Sequence, residues 1–398
     1  MRTVLSILIA GAFCLPATAG GVNRIDNSLG PNAGSMCGAY NAIADDASLF
    51  YYNPAGMSRF DSAYADFGVD LVLPKFKITT KGGSQKSDDG VFYLMPLLGF
   101  VAPINDWANW GIGITSPYGL GGKFSRDLKA GIVESEGMIG LVNVTPALSL
   151  KLNDKLCVGA GINIGWGQFK YKTPYDILNK FTPLMTDSEA NGWGIGGIVG
   201  VMYRPTEKLT LGLTYMSESK INFIGFTKIG PTVLNFGDGF DSEFTFPPRI
   251  GAGIAWQATD RLTLAIDANW WGYSNTVNEM TLRFHDLPLK KKQNLDWRDD
   301  ASIHLGARYR LNDYWTVNAG TGYMTKAIPD TTVSQLTPDT SGWGAALGAK
   351  YEKENFSFNF GATYGWGDRE VKPGWGKRAP GKYEADIFTG SISASWKF

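Results

Sequence analysis

From residue 62 onward, apolar residues recur at every second position, separated by small or polar ones. TDRLTLAIDANWW sets Leu262, Leu264, Ile266, Ala268 and Trp270 on one face and Thr263, Ala265, Asp267 and Asn269 on the other. ASIHLGARYRL and NFSFNFGATYGW repeat the alternation, the latter with Phe356, Phe358, Phe360, Ala362, Tyr364 and Trp366 on its apolar side. A period of two predicts strands with unlike faces. Fourteen segments fit, near 62–78, 91–104, 109–118, 137–152, 155–170, 192–204, 208–223, 245–257, 261–272, 301–311, 314–324, 342–351, 355–367 and 384–398.

The connections sort by length. Short turns such as Asn105-Asp106, Asn153-Asp154 and Asn312-Asp313 alternate with far longer links. In a soluble sandwich the apolar faces would point inward and loops would not be sorted this way. Here apolar faces commonly end in Trp or Tyr and the opposite faces carry glycine, charge and amide, as in a barrel facing lipid. Lipid cannot satisfy a strand edge, so the sheet must close. An even strand count returns both ends to the periplasmic side. The fold expected is therefore an all-β transmembrane protein: a 14-stranded antiparallel outer-membrane β-barrel with a small N-terminal helical plug in its lumen. The last strand, SISASWKF, sets Ile392, Ala394, Trp396 and Phe398 on one face and reads as a signal for the barrel-assembly machinery.

Residues 1–19 read as a signal peptide: Arg2, an apolar run from Val4 to Leu15, then Ala17-Thr18-Ala19. Cys14 follows bulky Phe13, which disfavours a lipoprotein cut and favours cleavage after Ala19. Residues 20–61 do not alternate; GSMCGAYNAIADDASLFYYNPAGM suits short helices and turns. A barrel of fourteen strands is too wide for its own side chains to fill, since about eight strands already fill theirs. Residues 20–61 are the expected plug and 62–398 the barrel. In FYYNPAGM, Asn53 is a good N-cap, Pro54 suits a first helical turn, and Ala55 continues it. The same three residues read either as an ordinary cap or as a sharp redirection held inside the wall.

Composition narrows the function. Fifty glycines beside 13% aromatic residues suit a close-packed wall with aromatic girdles, and a formal charge of +0 points to no nucleic acid partner. No metal is expected, because the two histidines, His285 and His304, are not clustered with cysteines. No phosphate-binding loop and no cofactor motif appears. Ser302 shares a face with His304 but no third orienting group is placed, so an enzyme is disfavoured. Arg249, Asp267, His304, Arg308 and Arg310 fall on lumenal faces. They read either as a polar network holding wall to plug or as a cation site for a substrate carboxylate. Cys37 in the plug and Cys157 on a lumenal face are either joined by a disulfide or two unlinked small residues.

Several pieces resemble the FadL/TodX (OmpP1) family of outer-membrane transporters of long-chain fatty acids and aromatic hydrocarbons. They are ADDASLFYYNPAGMSRF, WGIGITSPYGLGGKF, TPALSLKLNDKLCVGAGINIGWG, FPPRIGAGIAWQATDRLTLAIDANWWGYS and the final WKF, in family order over nearly the whole mature chain. The long external loops do not align. The resemblance implies a plugged barrel, an external apolar capture site, an inner pocket and passive passage of a hydrophobic ligand. It also implies a kinked third strand, beside the turn at Asn53, Pro54 and Ala55, that opens the wall laterally. On Trp110–Tyr118, Gly111, Gly113 and Pro117 permit such a kink, although Pro117 equally reads as the strand's end. Phe223–Phe226 and Phe236–Phe246 are the expected loop residues for capture. Outer-membrane lipid and lipopolysaccharide would surround a monomer. A general diffusion porin is the main alternative, and a structural or adhesive barrel a weaker one.

Overall fold

The structure is a computed structural model that describes residues 29–128, 131–175, 184–230, 236–286, 290–334, 336–374 and 380–398. The leader read at 1–19 and residues 20–28 of the plug lie outside the described residues. Among the described residues, two short helices, α1 (Pro31–Ser35) and α2 (Leu49–Tyr52), and a 3-10 turn (Pro54–Arg59) precede the strands.

The strands are β1 (Tyr64–Thr80), β2 (Gly83–Lys86), β3 (Tyr93–Asn105), β4 (Ala108–Leu128), β5 (Gly131–Lys151), β6 (Leu156–Tyr175), β7 (Leu184–Thr206), β8 (Leu209–Met216) and β9 (Ser219–Gly230). They continue as β10 (Phe236–Phe246), β11 (Arg249–Gln257), β12 (Leu262–Trp271), β13 (Glu279–Phe284), β14 (Lys290–Asn294) and β15 (Asp300–Arg310). The last four are β16 (Trp315–Met324), β17 (Gly342–Lys353), β18 (Phe356–Val371) and β19 (Gly381–Lys397). All pairings are antiparallel. The sheet closes by β1 on β19, from Tyr64↔Lys397 to Thr79↔Lys382. The hairpin arm β2 pairs with β1, and four interrupted strands (β8 with β9, β10 with β11, β12 with β13, β14 with β15) each cross the wall once. The wall is a closed cylinder of fourteen strands.

Alternation decides which face meets which solvent. On β11, Ile250, Ala252, Ile254 and Trp256 are exposed while Arg249, Gly251, Gly253 and Ala255 are buried. Ile195, Leu347 and Phe67 stand among the most exposed apolar side chains of the molecule. In water this would be unstable; in lipid it is the required surface. Lumenal glycines have a different cause. A Cβ on Gly212 would lie 2.2 Å from the Asn41 carbonyl oxygen, and one on Gly320 2.3 Å from the Met36 carbonyl carbon. The wall is stripped of side chains where the plug's backbone presses on it.

Two expectations are corrected. Phe223–Phe226 and Phe236–Phe246 are not loop: they continue the wall as β9 and β10, paired from Ser219↔Phe246 to Ile229↔Phe236. Cys37 and Cys157 are both buried and unlinked. Cys157 packs with Ala55, Met57 and Met202, whereas Cys37 lies against Gly320 on β16, a different sector of the wall.

Candidate functional site

The plug is held by charge and by backbone amides. Fully buried Arg249 donates to the Tyr51 carbonyl (3.2 Å), Asn41 Oδ1 (3.0 Å) and Asn269 Oδ1 (2.6 Å), and its guanidinium lies 4.4 Å from the Tyr51 ring centre. Asp267 Oδ2 accepts the N–H groups of Tyr40 (2.7 Å) and Asn41 (2.6 Å). Arg308 pairs with Asp45 at 2.6 Å. Burial works against the charge of Asp45, but the Arg308 guanidinium holds its carboxyl well below the usual carboxylate range. Burial, and then the adjacent Asp45 charge, push the Asp46 carboxyl up. Asp66 and Asp70, which sequence reasoning passed over, accept the Ala47 and Gly30 amides (3.2 and 3.0 Å). Their alternation around Gly68 in YADFGVD was the available signal.

The structure thus brings Arg249, Asp267 and Arg308 together on the plug. His304 joins them as the cross-strand partner of Asp267, its Nε2 bonding Ser302 Oγ on its own strand at 2.5 Å, whereas Arg310 does not. Arg310 is exposed at the end of β15, its backbone N–H on the Arg261 carbonyl (2.9 Å).

Asn53 is extended (φ −166, ψ 105) and its Oδ1 accepts the Ala55 amide at 3.1 Å, capping the turn that Pro54 begins. Its Nδ2 donates to the carbonyls of Asn41 and Val201, both at 3.0 Å. The turn sits against Gly159 of β6 and Gly200 of β7, and its 3-10 continuation reaches the third wall strand, where a Cβ on Gly111 would lie 2.9 Å from Met57 Sδ. Phe50 packs against the same strand. A Cβ on Gly113 would meet its ring at 2.2 Å and one on Gly111 at 2.9 Å, so these glycines give room to Phe50 and stay in regular register. Since Pro54 fixes φ for a capped, fully packed turn, Pro54→Gly should loosen it. Uptake of a hydrophobic solute by cells should change several-fold, and an unchanged rate would exclude the turn from transport.

The irregularity lies at Pro117. Ser116 and Pro117 together face Val142, because the β4–β5 register steps from Thr115↔Asn143 to Tyr118↔Leu141. This bulge reverses the phase of the strand, so that Tyr118 and Phe124 turn inward after Gly111, Gly113 and Thr115. On the other edge, β3 and β4 pair only as far as Leu98↔Ile114. Higher up, the Asp88 N–H donates to the Lys123 carbonyl (2.9 Å) and Asp88 accepts from Ser125 N and Oγ (both 2.7 Å). Between these two closures the wall has a window.

Inside the barrel, a cavity of about 290 Å³ is lined mainly by apolar side chains, among them Ile139, Phe169, Phe244, Leu282, Trp297 and Leu336. Ile139, Phe244 and Trp297 also line a neck of about 20 Å³ that reaches Tyr118 and Gly119 on the window strand. Tyr118 stacks on Phe246 and donates to the Pro247 carbonyl at 2.8 Å. The connection between β16 and β17 folds over the cavity. Arg369 donates to the Ile328 and Asp339 carbonyls (2.8 and 2.9 Å), and Asp339 Oδ2 accepts the Ala327 and Ile328 amides.

A closed barrel with a tethered plug, an apolar chamber and an interrupted wall defines an outer-membrane β-barrel transport protein. Residues 12–393 match the family described as Outer membrane protein transport protein (OMPP1/FadL/TodX), and the chain belongs to that family of the Gram-negative outer membrane. It is 27% identical to Outer membrane protein P1 of Haemophilus influenzae, over 92% of this chain and 90% of the relative. It is also 27% identical to the Long-chain fatty acid transport protein of an Escherichia coli strain, over 82% and 83%. In fold it is similar to a Pseudomonas aeruginosa FadL homologue (TM-score 0.81, 19% identity, 94% of this chain and 99% of the other). It is similar also to the Ralstonia pickettii toluene transporter TbuX (TM-score 0.73, 18% identity, 95% and 100%).

Proposed function

We propose that this protein is a passive uptake channel for hydrophobic compounds, which enter from outside, rest in the apolar cavity and leave sideways through the window between β3 and β4. The observation that supports this most is the continuity of apolar lining from the cavity, through Ile139, Phe244 and Trp297, to Tyr118 beside the bulge. A general porin needs an open aqueous lumen, and this lumen holds a plug fastened by buried polar contacts. Burial at about 25 cal/mol per Å² gives a small apolar ligand several kcal/mol before ordering costs. Relatives whose names specify long-chain fatty acids or toluene fit the same class.

In this reading residues 1–19 are removed as a leader, 20–61 are the stopper, and Asn53, Pro54 and Ala55 form its pivot. The barrel inserts through the barrel-assembly machinery and works as a monomer, since apolar residues face outward on many strands around the wall. Beyond the apolar belt, outward pairs such as Lys220–Glu243 (2.7 Å) suit contact with lipopolysaccharide.

The test fills the neck. Ile139→Trp adds a ring where both spaces meet, and overpacking of this kind costs about 1–3 kcal/mol in a dense core. Cellular uptake of naphthalene should fall at least tenfold while the barrel still migrates as folded on unheated gels. Undiminished uptake by a folded variant would take the cavity out of the route.

A further inference from the structure

The path from cavity to window is shut at its last step. The cavity measures about 290 Å³, but the neck beyond it, at about 20 Å³, has room for about one water molecule. A side chain must move before anything larger passes. The aromatic residues that line the neck are Tyr118, Phe244, Phe246, Tyr273 and Trp297.

Four of these rings brace one another. Phe244 meets Phe246 edge-on at 5.1 Å between ring centres and Trp297 at 6.2 Å, and Trp297 meets Tyr273 at 5.5 Å. Tyr118 comes from the window strand itself. Its ring stacks on Phe246 with centres 5.3 Å apart, and its hydroxyl donates to the Pro247 carbonyl at 2.8 Å.

Donor and acceptor differ in firmness. Pro247 and Pro248 form the break between β10 and β11, where two fixed φ angles hold the accepting carbonyl in place. Tyr118 directly follows the bulge. It stands on the stretch of β4 between its last pair with β3, at Ile114, and the Asp88–Lys123 bond. A local shift of that stretch breaks one neutral hydrogen bond and slides one ring off another. The other four rings stay in contact.

Resting on the uptake-channel reading, we propose that Tyr118 is the latch of the lateral exit. Its ring closes the neck, and the bond from its hydroxyl to the Pro247 carbonyl sets how fast a ligand held in the cavity leaves.

Tyr118→Phe keeps the ring and its stack and removes the donor alone. Retention of naphthalene by the protein in nanodiscs, over empty nanodiscs, reads affinity. Stopped-flow dilution followed by naphthalene fluorescence reads release. A neutral hydrogen bond shifts an equilibrium by roughly three- to tenfold, so release should quicken by that factor. Affinity should stay unchanged, because the bond is lost from free and loaded protein alike. Phe246→Leu, which removes the stack and keeps the hydroxyl, carries the same expectation should the first variant not fold. Unchanged release from a folded variant would overturn the latch and leave the uptake reading standing. Faster release matched by an equal loss of affinity would make Tyr118 part of the binding lining and overturn the latch as well. No retention by the unaltered protein would remove the cavity as a ligand site and with it both proposals.

Discussion

Replacing Arg249 by methionine should unfasten the plug and turn a closed barrel into a leaking one. The residue is wholly buried and its side chain has nearly the right volume for methionine, so the wall itself should still close around it. What disappears is a charged donor shared by three acceptors, two on the plug and one on β12. Hydrogen bonds involving a charged group contribute roughly 1.5–3 kcal/mol each, so three of them amount to about 4.5–9 kcal/mol before relaxation and water offset part of the loss. The ring of Tyr51 also loses its cation partner, a further ~1 kcal/mol. The remaining ties, among them Asp267 to two plug amides, Asp66 and Asp70 to one each, and Arg308 to Asp45, keep the segment inside but no longer fixed. In planar bilayers the parent should be nearly silent and R249M should show intermittent conductance steps, with the folded gel mobility of the barrel retained. A variant as quiet as the parent would show that the arginine does not hold the plug shut.

How far such a role was legible differs from residue to residue. Period-two alternation locates the fourteen crossings because lipid and lumen impose opposite chemistry on successive residues, and the inward side of Arg249, Asp267 and Arg308 follows from parity alone. The asparagine cap before Pro54 is local chemistry and is equally readable. Parity gives a face, however, and not a position around the cylinder. Cys37 and Cys157 are both on the lumenal side yet lie in different sectors, and Arg310 shares parity with Arg308 yet stands at the exposed end of β15. Gly111 and Gly113 illustrate a second blindness. Glycine in a strand marks either a bend or a close neighbour, and the neighbour here, Phe50, is some sixty residues away in sequence. From the sequence the third strand ends at Tyr118, because a bulge reverses the alternation and its continuation to Leu128 no longer matches the frame that precedes it.

That same bulge carries the second large prediction. Deleting Ser116 leaves a single residue opposite Val142 and makes the β4–β5 register continuous from Thr115 to Leu141. Nothing beyond the site changes partner on β5, so Tyr118 and Phe124 keep facing inward. A regular β4 no longer bends away from β3, and the edges beyond Leu98↔Ile114 can approach. Each strand does carry a proline close to that last pair, Pro96 and Pro117, which cannot donate to a ladder. The repaired wall would therefore be narrowed rather than perfectly hydrogen-bonded, which is enough to exclude a ring. Unsatisfied backbone groups at a window in lipid are costly, so the deletion should leave thermal stability unchanged or raise it slightly. Transport should behave in the opposite way. Ligand binding in the cavity should persist within a factor of about two to three, while cellular uptake of naphthalene drops at least tenfold. This separates exit from entry, because a defect confined to the window traps ligand without weakening its capture. If uptake continues at the parent rate with the bulge removed, ligands must leave past Asn53 and Pro54 into the periplasm, and the interruption between β3 and β4 is not their door.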